Sequence, residues 1–448
     1  MKKTNLILAA AAAVLATTSA QADVVIHITG STAFRAGTIT AIQNLMGGTG
    51  TFKAAYSTTS GTSTTSSGRS IIQGSIASVP TAGVVTFKCS WSGSTGGIKT
   101  VVQDIPVTTW PSITNLPVAN GVNSFTDAAM GYGLDFPGET DKADVTMEDT
   151  TQAATGFTTV TLDEIRVGVI PFEFVAGNQA PAALNSITPL QFQAAVSGGA
   201  PLSLFTGVPA DVSGRVYIAG RNFDSGTRLC TLTNCGLSPF SGVRHVEAIL
   251  TGTAGQASGN IAGLRLYKAE TVLGQAFTVG NSGYSSGGTL ADVLATPGAS
   301  TAVTAVGLVP GTSTTILAAE RLRLGAGHLI AGLGRSDAAR ACKTDVITGN
   351  TARRLTFNGV KIWNGTTFNA NGTPVAGYND ALITEGVYTF WEFQNLAYRQ
   401  SYAGEARTVA DALAAEITAN VPSSAGIKLS DMHVTKAVEG GVVTSTQI

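Results

Sequence analysis

A mixed α/β fold follows from three features of the sequence. Short β-branched runs alternate with segments whose apolar residues recur at helical spacing, and turns of Gly, Ser and Thr join them. No fixed-period repeat recurs along the chain, which counts against a solenoid. Hydrophobic residues make up 44% of the 448 residues, enough to bury a sizeable core, and this length leads one to expect two or three domains.

The first run, Asp23 to Ile28, reads as a strand and ends in Thr29-Gly30-Ser31-Thr32. From Ala33 to Met46, Ile39, Ile42 and Leu45 fall on one helical face, and Gly47-Gly48 closes the helix. Residues 57–70 are rich in Ser, Thr and Gly and read as an exposed loop or hairpin insertion. A second strand, Val84 to Cys89, runs into Ser92-Gly93-Ser94-Thr95-Gly96-Gly97 and an apolar segment beginning at Ile98. Residues 167–175 have no helical period. Pro171 argues against a central ladder position throughout, so a crossing segment is expected there. Thr188 is an N-cap with Pro189 in the first turn of the helix that follows. The strand Val216 to Ala219 delivers Gly220-Arg221-Asn222-Phe223-Asp224-Ser225-Gly226-Thr227-Arg228. The stretch from about 236 to 320 is irregular, with Gly-rich turns around Asn281 to Gly288.

Only 12% of residues are charged, against 53 glycines, and the formal net charge is −1. The absence of a basic stripe argues against a nucleic-acid partner. Lys2 and Lys3, the apolar stretch Leu6 to Ala16 and Ala20-Gln21-Ala22 together read as a secretory signal cut after Ala22. The remaining chain carries 25 cationic and 28 acidic side chains, a net charge of −3. No later stretch is long and apolar enough for a membrane-spanning helix, and no Cys follows the signal to carry a lipid. A periplasmic or secreted protein is expected.

Four cysteines fit an oxidising compartment. Cys230 and Cys235 are candidates for a local disulfide, leaving Cys89 and Cys342 to pair across a long stretch. The four histidines, His27, His245, His328 and His433, are too scattered for a zinc site, so neither a metal nor a cofactor is expected. There is no G-x-S-x-G elbow and no H-E-x-x-H, and no enzyme activity is expected.

The three Gly/Ser/Thr turns carry the chemistry. A strand-to-helix turn aims unpaired backbone N–H groups and hydroxyls at one point, where the helix dipole favours an anion. Gly93 to Thr100 misses the nucleotide P-loop, which needs Gly at the position of Ile98.

In this order the motifs resemble the periplasmic phosphate-binding proteins of ABC transporters, a branch of the two-lobed, type II substrate-binding proteins. Gly30-Ser31-Thr32-Ala33-Phe34 looks like the family's first anion loop, and Gly93 to Lys99 is similar to its Gly-Ser-Ser-Gly-Gly-Val-Lys loop. Ala143 to Asp149 falls at its Val-Asp-Phe-Gly-x-Ser-Asp, with Asp149 at the phosphate-reading aspartate. Arg221 to Thr227 matches Arg-x-x-Gly-Ser-Gly-Thr. Ile187 to Phe192 is similar to the segment that starts the second-lobe helix, and Gly386 to Glu392 to a stretch near the C-terminus. The motifs cover most of residues 24–395.

The resemblance implies a two-lobed fold with mixed sheets flanked by helices and two hinge crossings. Residues 23–168 with 329–448 would form lobe 1, and 169–328 lobe 2. It implies a monomer that captures inorganic phosphate or a related oxyanion for a membrane permease or a sensor. The expected ligand-binding residues are Ser31, Thr32, Ala33, Ser94, Thr95, Asp149, Arg221, Ser225, Gly226 and Thr227. Asp149 would accept a hydrogen bond from protonated phosphate and face sulfate with no proton between them. Departures bear on the ligand: Ala33 lacks a hydroxyl, Glu148 replaces a Ser beside Asp149, Asp224 replaces a Gly, and the stretches 51–83 and 236–320 are enlarged. The competing reading is a cell-surface or matrix structural protein on the same scaffold with a degraded anion site.

Overall fold

The computed structural model describes residues 23–59, 61–126, 139–178, 180–254, 259–269, 271–272, 275–276, 278–298, 302–303, 325–343, 352–420 and 426–446. The expected signal segment 1–22 and part of the irregular stretch 236–320 lie outside the described residues.

The chain enters through β1 (Val24–Gly30) and α1 (Arg35–Leu45), followed by β2 (Lys53–Ser57), β3 (Arg69–Gly74) and β4 (Val85–Ser90). β1 and β4 pair in parallel while β2–β3 and β3–β4 are antiparallel, so the expected insertion at 57–70 is the connection of a β2–β3 hairpin. Ser57, Ser67, Arg69 and Ser70 within it are buried rather than exposed, and the Ser67 hydroxyl donates to the Ser57 carbonyl at 2.8 Å. Next come α2 (Ser94–Gln103), β5 (Pro106–Trp110), β6 (Gly121–Phe125), β7 (Glu139–Lys142), β8 (Val145–Glu148), α3 (Gln152–Thr155) and the 15-residue β9 (Leu162–Ala176).

β10 (Ser186–Ile187) precedes α4 (Pro189–Val196), whose start is a reciprocal capping box. Gln191 N–H donates to the Thr188 hydroxyl at 3.3 Å, and Thr188 N–H donates to the Gln191 side chain at 2.8 Å. Then follow β11 (Ala200–Pro201), α5 (Ser203–Thr206), β12 (Arg215–Ile218), α6 (Gly226–Asn234), β13 (Val246–Thr251), β14 (Asn260–Leu266), β15 (Thr271–Val272), β16 (Gln275–Ala276) and α7 (Gly287–Ala295). The chain continues through β17 (Ala302–Val303), β18 (Gly325–Gly334), α8 (Arg335–Ala341), β19 (Arg353–Phe357), α9 (Ala381–Thr384), β20 (Trp391–Arg399) and α10 (Gly404–Asn420). It ends in the hairpin β21 (Val434–Lys436) and β22 (Val443–Ser445).

Among the described residues, fourteen strands form one mixed sheet, with the main path β11-β12-β18-β9-β20-β8-β1-β4-β3-β2-β6. Its long members β9 and β20 are antiparallel partners from Trp391↔Pro171 to Arg399↔Leu162, with a bulge at Gln394/Asn395. This ladder joins two apolar cores. Val167, Leu396 and Tyr398 pack with Ile26, Ile28, Phe87 and Val409 of the first core. A few residues along the same strands, Val169, Ile170 and Trp391 pack with Phe174, Phe192, Ile218 and Phe357 of the second. Pro171 lies where the ladder permits it, because the antiparallel partner β18 pairs only with residues 172–176.

Residues 330–390, which the expected division places in lobe 1, contribute Ile330, Leu355, Phe357, Ile383 and Phe390 to the second core. The chain therefore returns toward the first core along β20.

The expected disulfides are absent. Cys89, Cys230, Cys235 and Cys342 are all free and buried. Cys230 and Cys235 lie five residues apart at α6 and its C-cap, so they leave the helix on different faces. The Cys230 thiol instead donates to the Asp149 carbonyl at 2.9 Å. Cys89 belongs to the first core and Cys342 to a cluster with Val175 and Leu290, with separate packing around each.

Candidate functional site

Two helices, α2, packed against β1 and β8, and α6, of the second core, begin at the same place. α2 follows β4 through Ser92-Gly93, and α6 follows β12 through the turn 219–225. Gly93 sits at φ +94°, and a Cβ there would lie 2.4 Å from the Asp224 carbonyl, so only glycine allows the second-core turn to approach α2 this closely. That carbonyl accepts the Gly96 N–H at 3.0 Å. At α6 the Ser225 hydroxyl caps the helix by accepting the Arg228 N–H at 3.4 Å. Among the described residues, the first-turn N–H groups of Thr95, Gly226 and Thr227 make no backbone hydrogen bond, the usual condition of a helix start.

Asp149, just past the end of β8, sits between these two helix starts and is 2% exposed. The Ser94 hydroxyl donates to its Oδ1, the Ser31 hydroxyl to its Oδ2 at 3.4 Å, and its own N–H donates to the Ser94 hydroxyl at 3.1 Å. A Cβ built on Gly226 would lie 1.7 Å from Asp149 Oδ1, so the carboxylate rests directly on the first residue of α6. Burial pushes the Asp149 pKa up, opposed by the Ser94 hydrogen bond and the Arg221 charge. The loop is held from behind by Glu439, whose carboxylate accepts the Thr151 N–H and the Thr150 hydroxyl.

Arg221 is 3% exposed, and its guanidinium donates to the Tyr284 and Ser285 carbonyls, both at 3.0 Å. Its charge acts on three carboxylates, Asp149, Asp224 and Asp337. Asp337 lies against the start of α7, where a Cβ on Gly287 would meet its Oδ2 at 1.8 Å and an Arg221 terminal nitrogen at 3.1 Å. Neither Asp337 nor the Tyr284–Ser285 carbonyls were among the expected site residues. The Ser286 cap of α7 is the local signal for that third helix start.

Of the expected residues, Ser31, Ser94, Asp149 and Gly226 converge on one point, and Arg221 acts on Asp149 through its charge. Thr95 and Ser225 line a cavity beside that point. Ala33 turns into the second core and packs on Gly334, where a Cβ would lie 3.3 Å from its own. Thr32 is half-buried. Thr227 is buried in the first turn of α6, and its carbonyl accepts the Thr231 hydroxyl at 2.6 Å. Arg228 engages the Arg221 carbonyl, His245 and Asn281, and stacks 4.2 Å over Phe223. Burial and the Arg228 charge push the His245 pKa down to about 3, so its imidazole is neutral. Among the described residues, no group of three or more His, Cys, Asp or Glu is placed to hold a metal ion, and no helix is long and apolar enough to cross a membrane.

Glu148, the last residue of β8, immediately precedes Asp149, whose charge is one of those acting on it. It is fully buried, its pKa driven well above the ordinary 4.5 by burial and by Glu164. The folded state thus holds a proton that the unfolded chain releases, so its contribution to stability falls as pH rises above the ordinary range of a glutamate. Glu148→Gln is expected to raise the thermal unfolding midpoint at pH 8 more than at pH 5. Equal shifts at both pH values would refute a buried protonated carboxyl there.

No family model matches the chain, and no curated protein does. Several solved structures are similar to it. One is a putative phosphate ABC transporter substrate-binding protein with bound phosphate from Clostridium perfringens (11% identity, 90% of this chain and 99% of that one, TM-score 0.43). Another is an ABC-type phosphate transport receptor from Vibrio cholerae (10% identity, 90% and 99%, TM-score 0.39). A third is a possible phosphate binding protein from Planctomyces limnophilus (10% identity, 85% and 82%, TM-score 0.32). Likeness of this extent leaves the function to be argued from the site itself.

Proposed function

We propose that the chain is an exported binding protein that captures phosphate, or a similar tetrahedral oxyanion, between two lobes for ABC-type uptake or sensing. The observation that carries this reading is the meeting of α2 and α6, from different cores, at one buried point with Ser31, Ser94 and Arg221 around it. Two helix starts and a guanidinium supply positive potential in a dry setting, which favours an anion. Asp149 gives the selectivity. On binding, the oxyanion takes the helix starts and the Ser94 hydroxyl, and Asp149 turns to accept the ligand's proton, an interaction that sulfate lacks at neutral pH. Lobe closure about the β9–β20 ladder would accompany capture.

Arg221→Ala is expected to weaken phosphate binding roughly tenfold to a hundredfold, since hydrogen bonds to charged groups contribute about 1.5–3 kcal/mol. Asp149→Asn is expected to admit sulfate. Unchanged affinity in the first variant and unchanged selectivity in the second would refute these roles.

One observation favours the structural reading. The Asp149 carboxylate already lies against both helix starts, accepting the Ser94 hydroxyl of α2 and abutting Gly226 of α6. A cell-surface or matrix scaffold with a permanently closed site would keep it there and bind no oxyanion.

A further inference from the structure

The last turn of α6 and the C-terminal hairpin meet around three side chains that the anion site does not use. Asn234 ends α6, Glu392 lies in β20 and Lys436 ends β21. Lys436 and Glu392 are 2% and 3% exposed, and Lys436 Nζ lies 4.6 Å from the centre of the Trp391 ring. The Asn234 amide is oriented by its partners. Its Nδ2 donates to the Cys230 carbonyl at 2.8 Å and to Glu392 Oε1 at 2.6 Å, while its Oδ1 accepts from Lys436 Nζ at 2.8 Å. The same Glu392 oxygen accepts from Lys436 Nζ at 3.1 Å. One carboxylate oxygen thus touches both the amine and the amide nitrogen, where it can pass a proton from one to the other. An ion pair needs only Lys436 and Glu392; the amide seated against both is the added feature. The Thr389 and Trp391 carbonyls accept from Nζ at 2.8 and 2.6 Å and hold the amine in place. The hairpin also sits tightly on α6: a Cβ on Gly440 would lie 2.2 Å from the Thr233 carbonyl carbon, and the Gly440 N–H donates to Glu392 Oε1 at 2.8 Å.

We propose that the Lys436 and Asn234 side chains become joined by an isopeptide bond, with Glu392 carrying the protons. Lys436 Nζ gives a proton to Glu392, and the electron pair this frees attacks the Asn234 side-chain carbonyl carbon. The new C–N bond forms and the Cγ–Nδ2 bond breaks. Nζ loses two protons in all, Nδ2 gains them through Glu392 and departs as ammonium, and Glu392 ends as it began. Burial lowers the Lys436 pKa and raises that of Glu392, which favours an amine beside a protonated carboxyl. Groups held in contact this way react as though at effective concentrations up to roughly 10⁸ M. The link would fasten α6 to the hairpin whose Glu439 holds Thr150 and Thr151, and so secure the support behind Asp149.

The test is peptide mapping by mass spectrometry of the purified protein, denatured and digested with trypsin. Asn234 falls in the peptide 229–244, and an uncut Lys436 in 429–448. These two are expected to run as one branched species, lighter than their sum by one ammonia, with no cleavage after Lys436. Asn-Gly pairs such as Asn364-Gly365 can lose ammonia by themselves, so the branched peptide, not the intact mass, decides. Lys436→Arg and Glu392→Gln are each expected to abolish the branched species; the result in the parent protein stands whether or not these variants fold. Separate peptides 229–244 and 429–436 in every parent chain would overturn the bond and leave a buried ion pair. A branched species that persists in Glu392→Gln would overturn the route assigned to Glu392.

Discussion

Gly226→Ala is expected to weaken oxyanion binding at least a hundredfold and to lower folding stability by about 1–3 kcal/mol, the usual cost of overpacking a buried site. The new methyl carbon would fall 1.7 Å from Asp149 Oδ1 and 2.8 Å from the Ser94 Cβ, so the carboxylate and the helix start cannot both stay in place. Moving Asp149 breaks its bonds to Ser94 and Ser31; moving α6 opens the gap between the two helix starts. Titration and urea unfolding of Gly226→Ala, Asp149→Ala and the double variant separate the two effects. If the clash with Asp149 is the cause, the double variant recovers most of the stability lost in Gly226→Ala. Additive losses would place the strain elsewhere.

Arg354→Met is expected to destabilise the second core by about 3–5 kcal/mol, because it leaves one charge of a buried pair uncompensated. Arg354 Nε lies 2.8 Å from Glu173 Oε2, and both side chains are fully buried. The same guanidinium donates to the Gly372 carbonyl at 2.9 Å and the Tyr378 hydroxyl at 2.8 Å, and it faces the Phe368 ring. Arg335 stacks 4.0 Å over Tyr378 and pairs with Asp380 beside it. Burial pushes the Glu173 pKa up, and the Arg354 and Arg335 charges hold it back. Removing Arg354 lets that pKa rise further. The folded state then binds a proton the unfolded chain lacks, so the variant should lose stability more steeply than the parent as pH rises above the ordinary glutamate range. Replacing both partners by Met should restore much of the loss. Urea midpoints at pH 5 and pH 8 provide the check, and a single variant as stable as the parent at pH 8 would contradict it.

What was legible in the sequence was local. The Thr188-Pro189 start of α4 is written within four residues, because a capping box needs no distant partner. The turns before α2 and α6 were legible for the same reason: Gly93 and Ser225 set backbone and cap from within the turn. That both turns belong to one place came from the order of motifs, and Ser31, Ser94, Asp149 and Gly226 do lie together. Ala33 departs from the expected set because its methyl group is apolar and goes to the second core.

What was not legible depends on contacts far apart in the chain. Cysteine count and spacing carried no geometry, and Cys230 found a backbone carbonyl 81 residues away instead of a sulfur. The buried pair Glu173–Arg354 and the placement of Asp337 beside Arg221 have no local signature, since each needs the sheet to form first. The return along β20 was missed likewise. Residues 330–390 are apolar in a way that suits either core, and only the pairing of β18 and β19 with β9 selects the second.

Calorimetric titration of the ligand-free protein with inorganic phosphate and then sulfate at pH 7 bears on the anion site itself. Saturable binding of one phosphate per chain and no heat from sulfate are expected. Absence of heat from phosphate, with Asp149 remaining on both helix starts, would contradict the oxyanion reading and favour the structural scaffold.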